Sequence, residues 1–217
     1  MFQGSLADIT FNGPGLPDLQ RDSMHNKKTV ILASASPRRK EILEKTGLQF
    51  TVDESRYEEK TDLGLDPHEL AGFLSREKAR EVARRHRDAL IIAADTIVVS
   101  GDRLFGKPRS EEEAREMLQA LSGKSHSVIT GFTIIDVKGK KEAVKTVETK
   151  VFFRKLSADE IEAYIRSGEP LDKAGAYGIQ GLGALIVEKI EGDFFNVMGL
   201  PLSALSGSLK KFGINVL

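Results

Sequence analysis

The short apolar run Val30-Ile31-Leu32-Ala33 passes through Ser34-Ala35-Ser36 directly into Pro37-Arg38-Arg39-Lys40, a helix start with cations throughout its first turn. Ser36 reads as the N-cap and Pro37 as the first helical residue, with Ile42 and Leu43 on the inward face and Gly47 just past the end. The free N–H groups of a helix N-terminus already form a partial positive pole, so each cation there costs about 0.3 to 1 kcal/mol. A sequence selected for stability alone would place acids in that turn. The cations make sense if the phosphates of a ligand sit in front of the helix, held by serine hydroxyls, backbone amides and guanidinium forks. A solvated basic turn is the alternative these residues leave open.

The chain has 217 residues and ordinary apolar content, enough for one sizeable core or one core drawn out into two lobes. Its formal net charge is zero and its basic residues are mixed with acids, which gives no electrostatic support to nucleic-acid or membrane-surface binding. With no Trp and few Tyr it also lacks the aromatic-studded basic stripe of an RNA binder. The absence of cysteine excludes disulfides, thiolate catalysis and cysteine-bound zinc, and fits a cytoplasmic location. The longest apolar stretch, Ala89 to Val99, is too short for a membrane span and is broken by Asp95. Residues 1–27, with Gly13-Pro14-Gly15 and Pro17 among polar residues, read as a disordered extension or an expression remnant, leaving 28–217 as the folded domain.

Along that domain the pattern predicts a strand at Phe50-Thr51-Val52, an acidic segment Glu54–Asp62, and a helix from Asp66-Pro67. In this helix the apolar row Leu70, Leu74, Val82 has Lys78 as its missing member, which puts an ammonium on an inward stripe, while Arg76, Arg80, Arg84 and Arg87 lie on a solvated face. Leu90–Val99 reads as a central strand covered on both faces, and capping boxes at Ser110/Glu113 and Ser157/Glu160 open two further helices that end at Gly123 and Gly168. Ser125–Asp136 and Val144–Phe153 form a hairpin across Lys138-Gly139-Lys140; strands at Leu185–Ile190 and Phe194–Met198 precede a last helix after Pro201. Strands and helices mix irregularly, so the expected class is α/β with a mixed sheet.

An ionised carboxylate within a central strand costs several kcal/mol unless paired or bound to a cation, so Asp95 needs a partner. Thr96 follows it, Lys107 stands in Gly106-Lys107-Pro108, and the acidic pair Glu58-Glu59 lies upstream. Such carboxylates can hold a hard divalent cation or take a proton from an attacking water. Asp172–Gly183 carries glycines at 175, 178, 181 and 183, a density suited to close backbone approach to a ligand, and its Gln180 offers the donor and acceptor needed to read the imide edge of a uracil-type base. The histidines His25, His68, His86 and His126 show no metal-ligand spacing and are left out of the site.

Taken in order, Ser34-Ala35-Ser36-Pro37-Arg38-Arg39, Ala94-Asp95-Thr96, Lys107-Pro108 and Asp172–Gly183 resemble the Maf family of nucleoside triphosphate pyrophosphatases over about residues 28 to 217. The resemblance implies an elongated, two-lobed α/β fold related to the inosine triphosphate pyrophosphatases, with the active site in the cleft. It implies hydrolysis between the α and β phosphates to a nucleoside monophosphate and pyrophosphate. It makes Asp95 the proton acceptor with Glu59 and Lys107 beside it, puts Ser34, Arg38 and Lys78 on the triphosphate, and gives Asp95 and Glu59 to a Mg²⁺ or Mn²⁺ ion. The branch acting on dTTP and UTP is marked by an arginine, a threonine and a glutamine, which fall on Arg39, Thr96 and Gln180. The partner implied is a pyrimidine nucleoside triphosphate, with no nucleic acid and no membrane; a homodimer is the base-rate expectation. Two rival readings are a 7-methyl-GTP pyrophosphatase and a non-catalytic nucleotide-binding regulator of cell division.

Overall fold

The computed structural model describes residues 28–59 and 62–216. Residues 1–27, expected as an extension, lie outside the described residues. In chain order the elements are β1 (Thr29–Leu32), α1 (Pro37–Glu44), β2 (Thr51–Val52), α2 (Pro67–Ala83), β3 (Ala89–Ser100), β4 (Arg103–Phe105), α3 (Glu111–Leu121), β5 (Ser125–Asp136), β6 (Lys141–Phe153), α4 (Ala158–Arg166), β7 (Val187–Glu191), α5 (Phe194–Val197) and α6 (Leu202–Leu209), with short 3₁₀ turns through Glu169–Leu185. The fold is α/β, as expected. Its seven-stranded sheet runs β2-β1-β3-β5-β6-β7, with β4 on the outer edge of β3. β1 is parallel to both β2 and β3, and every other pairing is antiparallel. The long strands β3, β5 and β6 would each extend about 40 Å at ~3.3 Å per residue, so the sheet is elongated along them.

Strand alternation divides the core. On one face Ile91 and Ala93 pack with Ala79 and Val82 of α2, and Ile97 packs with Leu70 and Leu74, so α2 covers that face along most of β3. On the other face Leu90, Ile92 and Ala94 pack with Ile42 of α1 and Leu205 and Leu209 of α6. Val98 and Val128, farther along the same face, pack with Met117 and Leu118 of α3 and Ile161 and Ile165 of α4. Two helix groups thus share one face of a single sheet, with a joint between them.

The close approach of α2 depends on Gly131 of β5, the cross-strand partner of Asp95. A Cβ there would lie 2.2 Å from the Ala71 carbonyl oxygen. Ser75, one turn farther along α2, shares a 2.9 Å hydroxyl contact with Thr133 of β5. Arg76 and Arg80, expected to be merely solvated, reach Glu142 of β6 at 3.1 and 3.0 Å.

Three local expectations need correction. Phe194–Met198 was expected as a strand, but Phe194–Val197 is a short helix, because the Asp193 carboxylate accepts from the N–H groups of Phe195 (2.7 Å) and Asn196 (3.2 Å) and caps it. This local hydrogen bonding overrides the β preference of two phenylalanines and a valine. The preceding strand starts at Val187 rather than Leu185, since Gly181–Leu185 winds as a 3₁₀ turn. At α3, Ser110 caps as expected, whereas the Glu113 carboxylate accepts from the N–H of Arg109 rather than Ser110, so the box there is half closed. The box at Ser157/Glu160 is complete.

His126, buried in β5, lies 2.7 Å through Nε2 from the Tyr177 hydroxyl and meets the edges or faces of Phe153 and Tyr177. Burial pushes its pKa down to about 4. The unfolded chain therefore binds a proton at this residue that the fold refuses. The stability from neutral His126 is present above about pH 6.5 and is lost progressively as pH falls to about 4, by up to about 3 kcal/mol. Urea unfolding at intervals across this window should show the loss, and His126→Gln should flatten it. Gly131→Ala should lower unfolding free energy by about 1 to 3 kcal/mol at pH 7, through displacement of α2.

Candidate active site

The site forms where the outer edge of β3 is interrupted. β1 pairs with β3 up to Leu32 opposite Ile92, with the Ala33 N–H donating to the Ile92 carbonyl at 2.7 Å, and β4 takes up the edge again only at Val98. Between Ile92 and Val98 no strand pairs with that edge among the described residues. Adjacent residues in this gap point to opposite faces: Asp95 goes under α2, and Thr96 goes toward the joint between the two helix groups. Ser34 and the start of α1 arrive at the same gap because β1 ends there.

On the α2 face, Asp95 is buried and its carboxylate bonds the ammonium of Lys78, the residue missing from the apolar row of α2. The same ammonium donates to Glu59 at 2.5 Å. Of the adjacent acids Glu58 and Glu59, it is Glu59 that meets Lys78. Burial pushes the Asp95 carboxyl above the usual aspartate range, with Glu59 adding to the shift and Lys78 and Arg39 opposing it. Glu59 is more exposed. Partial burial raises its pKa, but Lys78, through charge and hydrogen bond, together with Lys107 and Arg39, holds it below the ordinary value.

On the other face, Arg39 ties three segments together. Its Nε donates to the Gly199 carbonyl at 2.8 Å, Nη1 to Ser34 Oγ at 3.3 Å, and Nη2 to Thr96 Oγ1 at 3.1 Å. Burial lowers its pKa. Gly199 has φ +105, and a Cβ there would press on Thr96 Oγ1 and the Arg39 guanidinium, so the position wants glycine on both counts. Behind Thr96 lies Thr130 of β5, at 2.9 Å between hydroxyl oxygens, and the Thr130 hydroxyl donates to the Asn196 carbonyl at 3.0 Å.

A cavity of about 310 Å³ opens at this joint, lined by Arg38, Arg39, Thr96, Lys107 and Gln180 among others. Lys107 thus borders the cavity while its charge is felt at Glu59, which links the two faces of the site. Arg38 stands at the cavity with Nη1 donating to Asp172 at 2.9 Å. The sequence-derived residues therefore gather in two adjoining groups: Lys78, Glu59 and Asp95 under α2, and Ser34, Arg38, Arg39, Thr96, Lys107 and Gln180 around the joint.

Sequence reasoning missed Glu169, Thr130 and Asn196. Glu169 organises the glycine-rich segment: Oε1 accepts from the Tyr164 hydroxyl (2.9 Å) and the Gly183 N–H (3.0 Å), and Oε2 from the Leu182 N–H (2.9 Å). Its only sequence signal is the position after Gly168, the helix stop. Asn196 donates to the Val128 carbonyl at 2.9 Å and to Thr149 Oγ1 at 3.0 Å, which pins α5 to β5 and β6.

The family model for Maf-like proteins matches residues 29–212. The chain is 51% identical over 190 residues to the dTTP/UTP pyrophosphatase of Methanosarcina barkeri, covering 87% of this chain and 96% of that one. Against the enzymes of the same name from Moorella thermoacetica and Clostridioides difficile it is 50% and 48% identical, covering 86% of this chain in each case and 96% and 97% of theirs. The chain belongs to the Maf family. Among the described residues no helix is long and apolar enough to cross a membrane.

Glu169→Ala should speed amide hydrogen exchange at Leu182 and Gly183 by at least about tenfold, since hydrogen bonds to a charged acceptor contribute about 1.5 to 3 kcal/mol. Exchange in β3 and β5 should stay unchanged.

Proposed function

We propose that this protein hydrolyses dTTP and UTP to the nucleoside monophosphate and pyrophosphate, as a housekeeping enzyme of the cytoplasmic nucleotide pool. The reading is carried by the identity of about half its residues with relatives named dTTP/UTP pyrophosphatase over nearly their whole length. It is supported by a site in which an acid–lysine centre and a polar cavity meet at one strand edge. The same names favour it over a 7-methyl-GTP pyrophosphatase, and a regulator without turnover has no need of a buried carboxylate beside the phosphate seat.

In this mechanism the triphosphate lies across the gap in the β3 edge. Ser34, the main-chain N–H of Arg38 at the start of α1 and the Arg38 guanidinium receive phosphate oxygens, with the guanidinium exchanging Asp172 for the ligand. An ammonium carries three donors, so Lys78 keeps one for a phosphate oxygen beyond those given to Glu59 and Asp95. A water attacks the α phosphorus, the bond to the bridging oxygen of the β phosphate breaks, and Asp95 accepts the water proton. Lys107 offsets charge developing on the departing pyrophosphate. The base sits in the cavity against Arg39, Thr96 and Gln180.

Glu59 and Asp95 meet Lys78 through one carboxylate oxygen each, Oε1 and Oδ1, and each keeps a second hard oxygen of the kind that suits Mg²⁺ or Mn²⁺. Among the described residues no group of three or more metal-binding side chains forms a closed cage. These two carboxylates would hold Mg²⁺ or Mn²⁺, which when bound supplies charge neutralisation and acidifies water.

Asp95→Asn should lower the rate of pyrophosphate release from dTTP and UTP by about 10² to 10⁴ while leaving nucleotide affinity within about threefold. Turnover at the wild-type rate would remove Asp95 from the chemistry.

A further inference from the structure

We infer that Thr130, which lies beneath the cavity floor, sets the hydrogen-bond polarity of Thr96 and so makes Thr96 an acceptor-only reader of the base. The inference rests on the proposed pyrimidine nucleotide site and extends it to a residue that does not line the cavity.

A threonine hydroxyl has one proton to donate and two lone pairs. Thr130 is fully buried, and its hydroxyl lies 3.0 Å from the Asn196 carbonyl oxygen, which can only accept. The single Thr130 proton is therefore committed to Asn196. Thr130 and Thr96 are direct cross-strand partners with their hydroxyl oxygens 2.9 Å apart, and in that contact Thr130 has only a lone pair to offer, so Thr96 must donate. Thr96 also receives Nη2–H of Arg39, which has no acceptor capacity. Its proton and one lone pair are thus used inside the protein. What remains for a ligand is one lone pair.

A ligand group meeting that lone pair must be a donor. Uracil and thymine present N3–H on the imide edge, whereas cytosine presents a bare N3 acceptor there and would meet lone pair against lone pair. Gln180 cannot make this distinction by itself. Its side chain has no hydrogen bond that fixes it among the described residues, and an amide turned by 180° exchanges donor for acceptor. Arg39 offers only donors, and both kinds of base carry the O2 acceptor. Discrimination between imide and amidine edges therefore falls to Thr96, and its direction is imposed from behind by Thr130 and the carbonyl of Asn196. Asp193 and Thr149 hold that carbonyl in place: Asp193 caps α5, and the Thr149 hydroxyl donates to the Asp193 carbonyl at 3.1 Å. Thr130 is accordingly a positioning residue, acting through Thr96 on specificity.

The test measures kcat/KM for UTP and CTP with wild type, Thr130→Val and Thr130→Ser, with folding checked by thermal unfolding. Valine keeps the shape and removes the hydroxyl, which frees the Thr96 proton to turn toward the cavity. Thr130→Val should lower the UTP-to-CTP ratio by about tenfold or more, mainly by raising CTP turnover, and Thr130→Ser should restore the wild-type ratio. A Thr130→Val enzyme that loses both substrates equally, or keeps the wild-type ratio, overturns the inference and leaves the functional reading intact. Wild type that fails to cleave UTP overturns both. Should Thr130→Val not fold, 3-deaza-UTP, which lacks the N3–H donor, decides with the wild-type enzyme: at least about a tenfold loss relative to UTP is expected, and equal turnover overturns the inference.

Discussion

The ion pair between Asp95 and Lys78 is the interaction on which the site is built. A carboxylate in the middle of a central strand must be compensated or neutralised, and here the compensation comes from an ammonium on the one helix that covers that face. This requirement fixes the rotation of α2 about its axis, because Lys78 must point inward where its row otherwise carries Leu70, Leu74 and Val82. It also fixes the height of α2 above the sheet, and Gly131 admits the backbone of that helix directly over the strand position opposite Asp95. Glu59 then joins the same ammonium. Two acids and one lysine leave an excess of negative charge, which Arg39 and Lys107 offset from the far side of the gap.

The break in the β3 edge leaves the strand beside this buried cluster without a neighbour between Ile92 and Val98, among the described residues. If β1 or β4 ran a few residues farther, past Leu32 or past Phe105, the gap between Ile92 and Val98 would be sealed. Because neighbouring strand residues face opposite ways, one gap borders an acid centre on one face and a hydrogen-bonding cavity on the other. A nucleoside triphosphate has the same division, with a charged tail and a neutral base.

Much of this was legible in the sequence because it follows from local rules. The charge at Asp95 interrupts an apolar run, Lys78 interrupts an apolar helical row, and the cations after Ser36 oppose a helix dipole; each is a local cost that calls for a nonlocal partner. The elements themselves followed from caps and periodicity, and α1, α2, α4, β3 and β5 lie where these place them. The failures share a cause. Phe194–Val197 has the composition of a strand, and only the geometry of Asp193 against its own backbone makes it helical. Glu169, Thr130 and Asn196 act on main-chain groups brought from distant segments, or on each other across a strand pair, and no periodicity or spacing marks such a contact. The gap itself depends on where β1 and β4 stop, which the sequence outlines only to within a residue or two.

A crystal structure with α,β-imido-UTP, in which NH replaces the scissile bridging oxygen, tests most directly the claim that one nucleotide spans both faces of the gap. The account predicts the triphosphate against Arg38, Lys78 and the start of α1, with the uracil beside Thr96 and its N3–H directed at the threonine oxygen. A nucleotide bound with its phosphates away from Asp95 and Lys78, or with its base outside the Arg39–Thr96–Gln180 cavity, would contradict it.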